Sequence, residues 1–189
     1  AIDAEMALAD RVVRFLEAFG AGARLGLGGG RCASRDNYEA KFGVMVDQYH
    51  RVADRAIARG LVVNVHPTST VDSLVRTKVE YERLVAALDP SLLSLGPDTG
   101  HITRGDETAL AFVERHRDRI THIHLQDARA GGDFVFMGTG DANLPGVLSR
   151  LVAHGYAGWL ISEEESAEAL NDPRATVRAC RQYLRGLGF

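Results

Sequence analysis

Ser91-Leu92-Leu93-Ser94-Leu95-Gly96-Pro97-Asp98-Thr99-Gly100-His101 is the stretch that decides the fold. Its apolar run reads as a buried strand, and Gly96-Pro97 breaks it. A carboxylate and an imidazole then arrive together where strand gives way to loop. In a parallel α/β protein that is the C-terminal end of a strand, the edge at which such folds carry their chemistry. Three further apolar runs end the same way, in His66, His124 and Glu163.

Working outward, strands are predicted to begin near positions 24, 61, 92, 120 and 159, each followed by a helix. Five βα units imply a parallel sheet with right-handed crossovers. The opening helix carries Ile2, Met6, Val13 and Leu16 on one face and stops in Gly20-Ala21-Gly22. Asp36 or Asn37 is expected to cap a long helix whose Tyr38, Phe42, Met45, Tyr49, Val52 and Ala56 share a side. That spacing assigns its aromatics to the core. Another helix is expected from about Asp72 to Leu88, and one capped by Asp106 further on. Gln126 to Ala142 is the longest loop and the nominated mobile cover. Pro145 and Pro173 each open a helix. Gly28-Gly29-Gly30 could cradle a phosphate, although a tight turn is the commoner use of such a run.

The bulk numbers narrow the function classes. At 189 residues the chain is read as one domain, 1–189, and its 46% hydrophobic content is that of an ordinary globular protein. A net charge of -3 makes no case for nucleic acid or an anionic membrane, and no apolar run is long enough to span a bilayer. Cys32 and Cys180 are far apart, which reads as two reduced thiols in a cytoplasmic protein. The start, Ala1-Ile2-Asp3-Ala4-Glu5, has no initiator Met and is too acidic for a signal peptide. The expectation is that the chain begins part-way through a larger domain.

Side chains alternate faces along a strand. Asn64 and His66 therefore share a face with Val62, His122 with His124, Asp98 with Ser94, and Glu163 with Ile161. Singly, a His or Asp at a strand end is usually a cap or a satisfied polar group. Four together on one sheet face, all of ligating type, point instead to a divalent cation such as Mn²⁺, Mg²⁺, Co²⁺ or Zn²⁺. In an open sheet, strands about 4.8 Å apart would spread four ligands over roughly 15 Å. Curling the sheet brings the ends to one mouth, so a TIM (β/α)8 barrel is preferred, incomplete with about five C-terminal units. An open barrel exposes two strand edges, which invites association into a homo-oligomer.

The ordered set Leu61-Val62-Val63-Asn64-Val65-His66-Pro67, Asp98-Thr99-Gly100-His101, His122-Ile123-His124-Leu125-Gln126-Asp127, Gly138-Thr139-Gly140-Asp141 and Gly155-Tyr156-Ala157-Gly158-Trp159 through Glu163 resembles the xylose isomerase-like barrels. These are the sugar phosphate isomerase/epimerase family, which includes the inosose dehydratases. The resemblance implies a divalent metal on Asp98, His124 and Glu163, with His101, His66 and Arg129 beside a sugar or inositol-derived substrate. Two departures matter. Asn64 stands where the epimerase branch has a metal-binding Glu, which leaves Asp72 as the implied fourth ligand. Gln126 stands where the dehydratase branch usually has Lys.

The function implied is a metal-dependent sugar (phosphate) isomerase or epimerase acting through an enediolate on a polyhydroxylated ketone. Glu163 would serve as base as well as ligand, and Asn64 would touch substrate. An inosose dehydratase is the alternative, and Asn64, which cannot act as a base, moves weight towards it. Other classes are a non-catalytic barrel fragment and a zinc-dependent DNA-repair nuclease. The nuclease needs a more basic surface than this chain has.

Overall fold

In the computed structural model, residues 2–20 and 22–189 are described; Ala1 and the centre of the Gly20-Ala21-Gly22 stop lie outside them. The elements run α1 (Ile2–Glu17), β1 (Arg24–Gly28), α2 (Tyr38–Ile57), β2 (Val62–His66), α3 (Lys78–Ala87), β3 (Ser94–Leu95) and α4 (Thr99–Arg104). They continue α5 (Ala109–His116), β4 (His122–Leu125), β5 (Asp127–Ala128), β6 (Phe134–Val135), α6 (Leu144–Ala153), β7 (Trp159–Ser162), α7 (Ala167–Asn171) and α8 (Pro173–Gly186). Strands β1, β2 and β3 pair in parallel. Single parallel bridges, Leu95 with Ile120 and Asp98 with His124, carry the sheet on to β4, which pairs in parallel with β7. The result is an arc of five parallel strands, and among the described residues β1 and β7 do not meet. It is a TIM-barrel fold left open.

Alternation along the strands builds the core. Val63, Val65, Leu95 and Ile123 turn away from the polar face and pack with Met45, Tyr49, Leu84, Phe112 and Val147 from the helices. Fully burying each such side chain contributes about 1.5–3 kcal/mol, so this face admits little that is polar. A second, smaller core gathers Leu125, Met137, Leu144, Leu148, Cys180 and Leu184, with Leu160 packed against both. Strand β4 is the seam: Ile123 belongs to the first core and Leu125 to the second. Both cysteines are free and buried.

Several boundaries differ from expectation for local reasons. Helix α3 starts at Lys78 and not near Asp72. Thr77 and Glu80 form a capping box there, while Leu74 and Val75 are buried in the preceding loop. Thr108, not Asp106, caps α5; Asp106 sits at φ 69 and its carboxylate accepts the Lys78 amide at 2.7 Å. Asn37 precedes α2 at φ 56 without a side-chain cap bond, and the Asp36 carboxylate instead accepts the Ser34 hydroxyl at 2.6 Å. The triple glycine serves close packing: a Cβ on Gly29 would come within 2.8 Å of Ser73 Oγ, and Leu74 N donates to the Gly30 carbonyl at 2.7 Å. The 126–142 segment is a pinned hairpin. Asp127 accepts amide protons from Ala128, Gly138, Gly140 and Ala142 at 2.9 to 3.1 Å. A carboxylate with four amide donors holds its loop closely.

Candidate metal centre

Three strands deliver the central side chains. His66 ends β2, His124 lies in β4 and Glu163 directly follows β7, where its amide donates to the Leu125 carbonyl at 3.0 Å. The His66 and His124 rings stack with centroids 4.3 Å apart. His124 Nδ1 contacts the Glu163 carboxylate, and its Nε2 lies 2.8 Å from His122 Nε2. One ligand atom from each of His66, His124 and Glu163 falls within 4.8 Å of the other two. Ligand bonds of about 2.1 Å allow donors on one ion to be up to about 4.2 Å apart, so the set needs only a slight closing.

Asp98 adjoins this set across the β3–β4 junction and lies outside the three-residue cluster. Its Oδ1 accepts the His101 amide at 2.6 Å and caps α4, a six-residue turn of helix where the sequence suggested loop. Its Oδ2 is buried with no hydrogen-bond partner among the described residues. Burial pushes this carboxyl well above its usual range, and the charges of Glu163 and Glu165 push the same way. A buried, unpaired carboxylate oxygen beside two imidazoles and a carboxylate fits a divalent cation, because the cation would supply the charge and contact that Oδ2 lacks.

Burial also sets the imidazoles. It lowers His66, with the neighbouring His124 adding to the effect against the Gly96 carbonyl and Glu163. It takes His101 and His122 down to about 4. These rings are therefore neutral at physiological pH, the form that ligates metals. Glu163 is lowered, first by the hydrogen bond from His124, and stays ionised.

The other sequence-nominated residues are placed as follows. His101, on α4, accepts the Ser69 amide at its Nδ1 at 2.9 Å, so its proton is on Nε2. Its ring lies 6.1 Å from that of His66 and meets Phe134 of the hairpin edge-on at 4.9 Å. Asn64 is buried two residues before His66 and donates through Nδ2 to Ser94 Oγ at 2.8 Å and Thr121 Oγ1 at 2.7 Å. Those bonds tie it into the strand layer, away from a ligand role through Nδ2. Arg129 is exposed on the hairpin, 3.5 Å from Asp141. Asp72 pairs with exposed Arg31 at 3.4 Å in the loop before α3 and does not join the cluster. The structure thus brings His66 to His124 and Glu163, with Asp98 adjacent and Asp72 elsewhere.

Sequence reasoning missed Phe134, which covers His101 and had no signal in the sequence. It singled out Gln126 and placed His122 on one face with His124, but not their contacts: Gln126 donates to Glu165 at 3.1 Å, and His122 touches His124.

Residues 2–187 match the family described as xylose isomerase-like TIM barrel. The inosose dehydratase of Geobacillus thermodenitrificans is 29% identical over 165 residues, 78% of this chain and 55% of that protein. The inosose dehydratase of Lacticaseibacillus casei is 31% identical over 152 residues, 71% of this chain and 50% of that protein. The chain therefore spans about half the length of the curated relatives it matches. Among solved structures, the IolI protein with a binding zinc atom superposes with a TM-score of 0.80 at 15% identity, over 96% of this chain and 68% of that one. A D-tagatose 3-epimerase-like protein superposes with a TM-score of 0.74 at 19% identity, over 95% and 68%. At those identities the two structures support the fold. The family match over nearly the whole chain establishes that it belongs to the xylose isomerase-like TIM-barrel family.

Proposed function

We propose that this chain carries the metal-holding part of an enzyme that removes water from an inosose, a cyclic polyhydroxylated ketone. The observation that carries the reading is the convergence of His66, His124 and Glu163 from three strands, with the unpartnered Asp98 Oδ2 beside them. The relatives named inosose dehydratase supply the substrate class. A divalent ion held there by the imidazoles and carboxylates would act as a Lewis acid towards a substrate carbonyl. Mn²⁺, Co²⁺ and Zn²⁺ suit two imidazoles better than Mg²⁺ does.

The chain's own residues do the rest. Glu163, ionised and directed by His124, takes the proton from the carbon next to the carbonyl. The electron pair forms the carbon–carbon double bond as the β-hydroxyl leaves. His101, with its proton on Nε2 beside His66, is placed to donate a hydrogen bond to that departing hydroxyl, which leaves as water with the proton that Glu163 took up. Phe134 and the pinned hairpin shield His101 from bulk solvent.

Isomerisation or epimerisation of a sugar (phosphate) through an enediolate would begin with the same proton abstraction. The amide at Asn64 favours elimination, because a second face-selective proton transfer needs another base there. The test is turnover of inosose in the presence of Mn²⁺ or Co²⁺, followed by the ultraviolet absorbance of the conjugated enone. Glu163→Gln should slow it by about 10²–10⁴-fold. Undiminished turnover would remove Glu163 as the base, and return of solvent deuterium to the substrate carbon without enone would move the reading to epimerisation.

A further inference from the structure

His122 has no part in the chemistry above, yet it is held as if its position mattered. Its Nε2 lies 2.8 Å from His124 Nε2, with the ring centroids 4.8 Å apart. Gly96 leaves the room: a Cβ there would come within 3.5 Å of the His122 ring and within 3.1 Å of Asn64 Cβ. Thr121, the preceding residue, is fixed by Arg24 at 3.1 Å and by Asn64, so the chain entering β4 is braced from two strands. Among the described residues His122 Nδ1, which is buried, makes no hydrogen bond, and His124 is the ring's one hydrogen-bond partner.

The two nitrogens of His124 are thereby assigned. Glu163 can only accept, so in the metal-free chain Nδ1 of His124 carries a proton towards it. Nε2 of His124 is then bare and accepts from His122 Nε2. When Nδ1 takes a cation it gives up its proton, and His122, handing its Nε2 proton to His124 Nε2 and taking one at Nδ1, becomes the acceptor. Remove His122, and the imidazole loses the contact that fixes its rotation in both states and its tautomer in the metal-free one.

We propose that His122 is a positioning residue for metal capture: by holding His124 Nε2, it turns Nδ1 towards the cavity shared with His66 and Glu163. This rests on the metal reading above, and extends it to a residue that contacts neither ion nor substrate. Partners of this kind on ligating histidines are typically worth about 10–100-fold in metal affinity.

The test compares the parent chain with His122→Phe, which keeps a ring without nitrogen, and His122→Gln, which restores an acceptor and a donor. Zn²⁺ binding is measured by calorimetry, and the His124 ring nitrogens are observed by ¹⁵N NMR in metal-free protein. The Phe variant should bind Zn²⁺ about 10–100-fold more weakly, and the Gln variant should recover most of the loss. In the metal-free Phe variant His124 should show mixed tautomers where the parent shows one. Should the Phe ring fail to fold in place, His122→Met, which adapts to irregular space, takes its role in the comparison. Equal Zn²⁺ affinity in parent and variant overturns the proposal. A parent that takes up no Zn²⁺ overturns the metal reading instead. The tautomer comparison then decides on its own, an unchanged His124 removing His122 from the role.

Discussion

His66 Nδ1 lies 2.9 Å from the carbonyl oxygen of Gly96. A carbonyl only accepts, so the proton is on Nδ1 and Nε2 is left bare, with the residue just after β3 choosing the tautomer of one on β2. His66→Ala should therefore weaken Zn²⁺ or Mn²⁺ binding by at least about tenfold while leaving the strand layer paired. Calorimetric titration reads the loss, and an unchanged affinity would take His66 out of the ligand set.

Asp127 gathers amides from Ala128, Gly138, Gly140 and Ala142. Asp127→Ala leaves those buried or half-buried donors without their acceptor and should destabilise the chain by about 3 kcal/mol in urea unfolding. Hydrogen exchange should rise mainly across residues 127–142. Exchange spread evenly over the molecule would show that Asp127 does not act through the hairpin.

His101 titrates near 4 in the folded chain, against 6.5 when free of burial. The unfolded chain binds its proton first, so this ring's contribution to stability is complete above about pH 6.5 and is lost as pH falls towards 4. Asp98, raised by burial, works in the opposite direction and loses its contribution as pH rises. The difference between parent and His101→Gln isolates the ring. In metal-free protein, the urea midpoint of the Gln variant should fall less than the parent's between pH 7 and pH 4.5.

Thr77 and Glu80 cap α3 on the far side of its loop from the metal cluster. Thr77→Ala should cost about 1 kcal/mol of stability and leave metal affinity unchanged. A parallel loss of Zn²⁺ binding would mean that the loop from Pro67 to Thr77 reports on the cluster.

The βα rhythm was legible because each helix-facing strand position is apolar and each strand ends in, or is followed at once by, Gly or a polar residue. Val63 and Val65 alternate with Asn64 and His66 as a pleated strand requires. The convergence of strand ends was argued from residue type, side-chain alternation and strand spacing, and the meeting of His124 with Glu163 came from the resemblance. That His66 joins them was not legible. His66 reaches His124 because the Gly96 carbonyl turns its ring, and a backbone carbonyl leaves no mark in a residue pattern. Asp72 looked suitable by distance along the chain, but its loop folds back on the triple glycine, where Leu74 bonds the Gly30 carbonyl. The hairpin escaped notice because its strands are two residues each, too short for any period, and depend on a single carboxylate.

The seam along β4 has a consequence for how the molecule comes apart. His66 stands on the larger core, whereas Glu163 follows β7, whose Leu160 packs against both, and His124 lies on the strand that divides them. An ion gripped by all three would rivet the two halves together. Heating the chelated chain should then melt the smaller half ahead of the larger, and saturating Zn²⁺ should merge both events into one sharper transition at higher temperature.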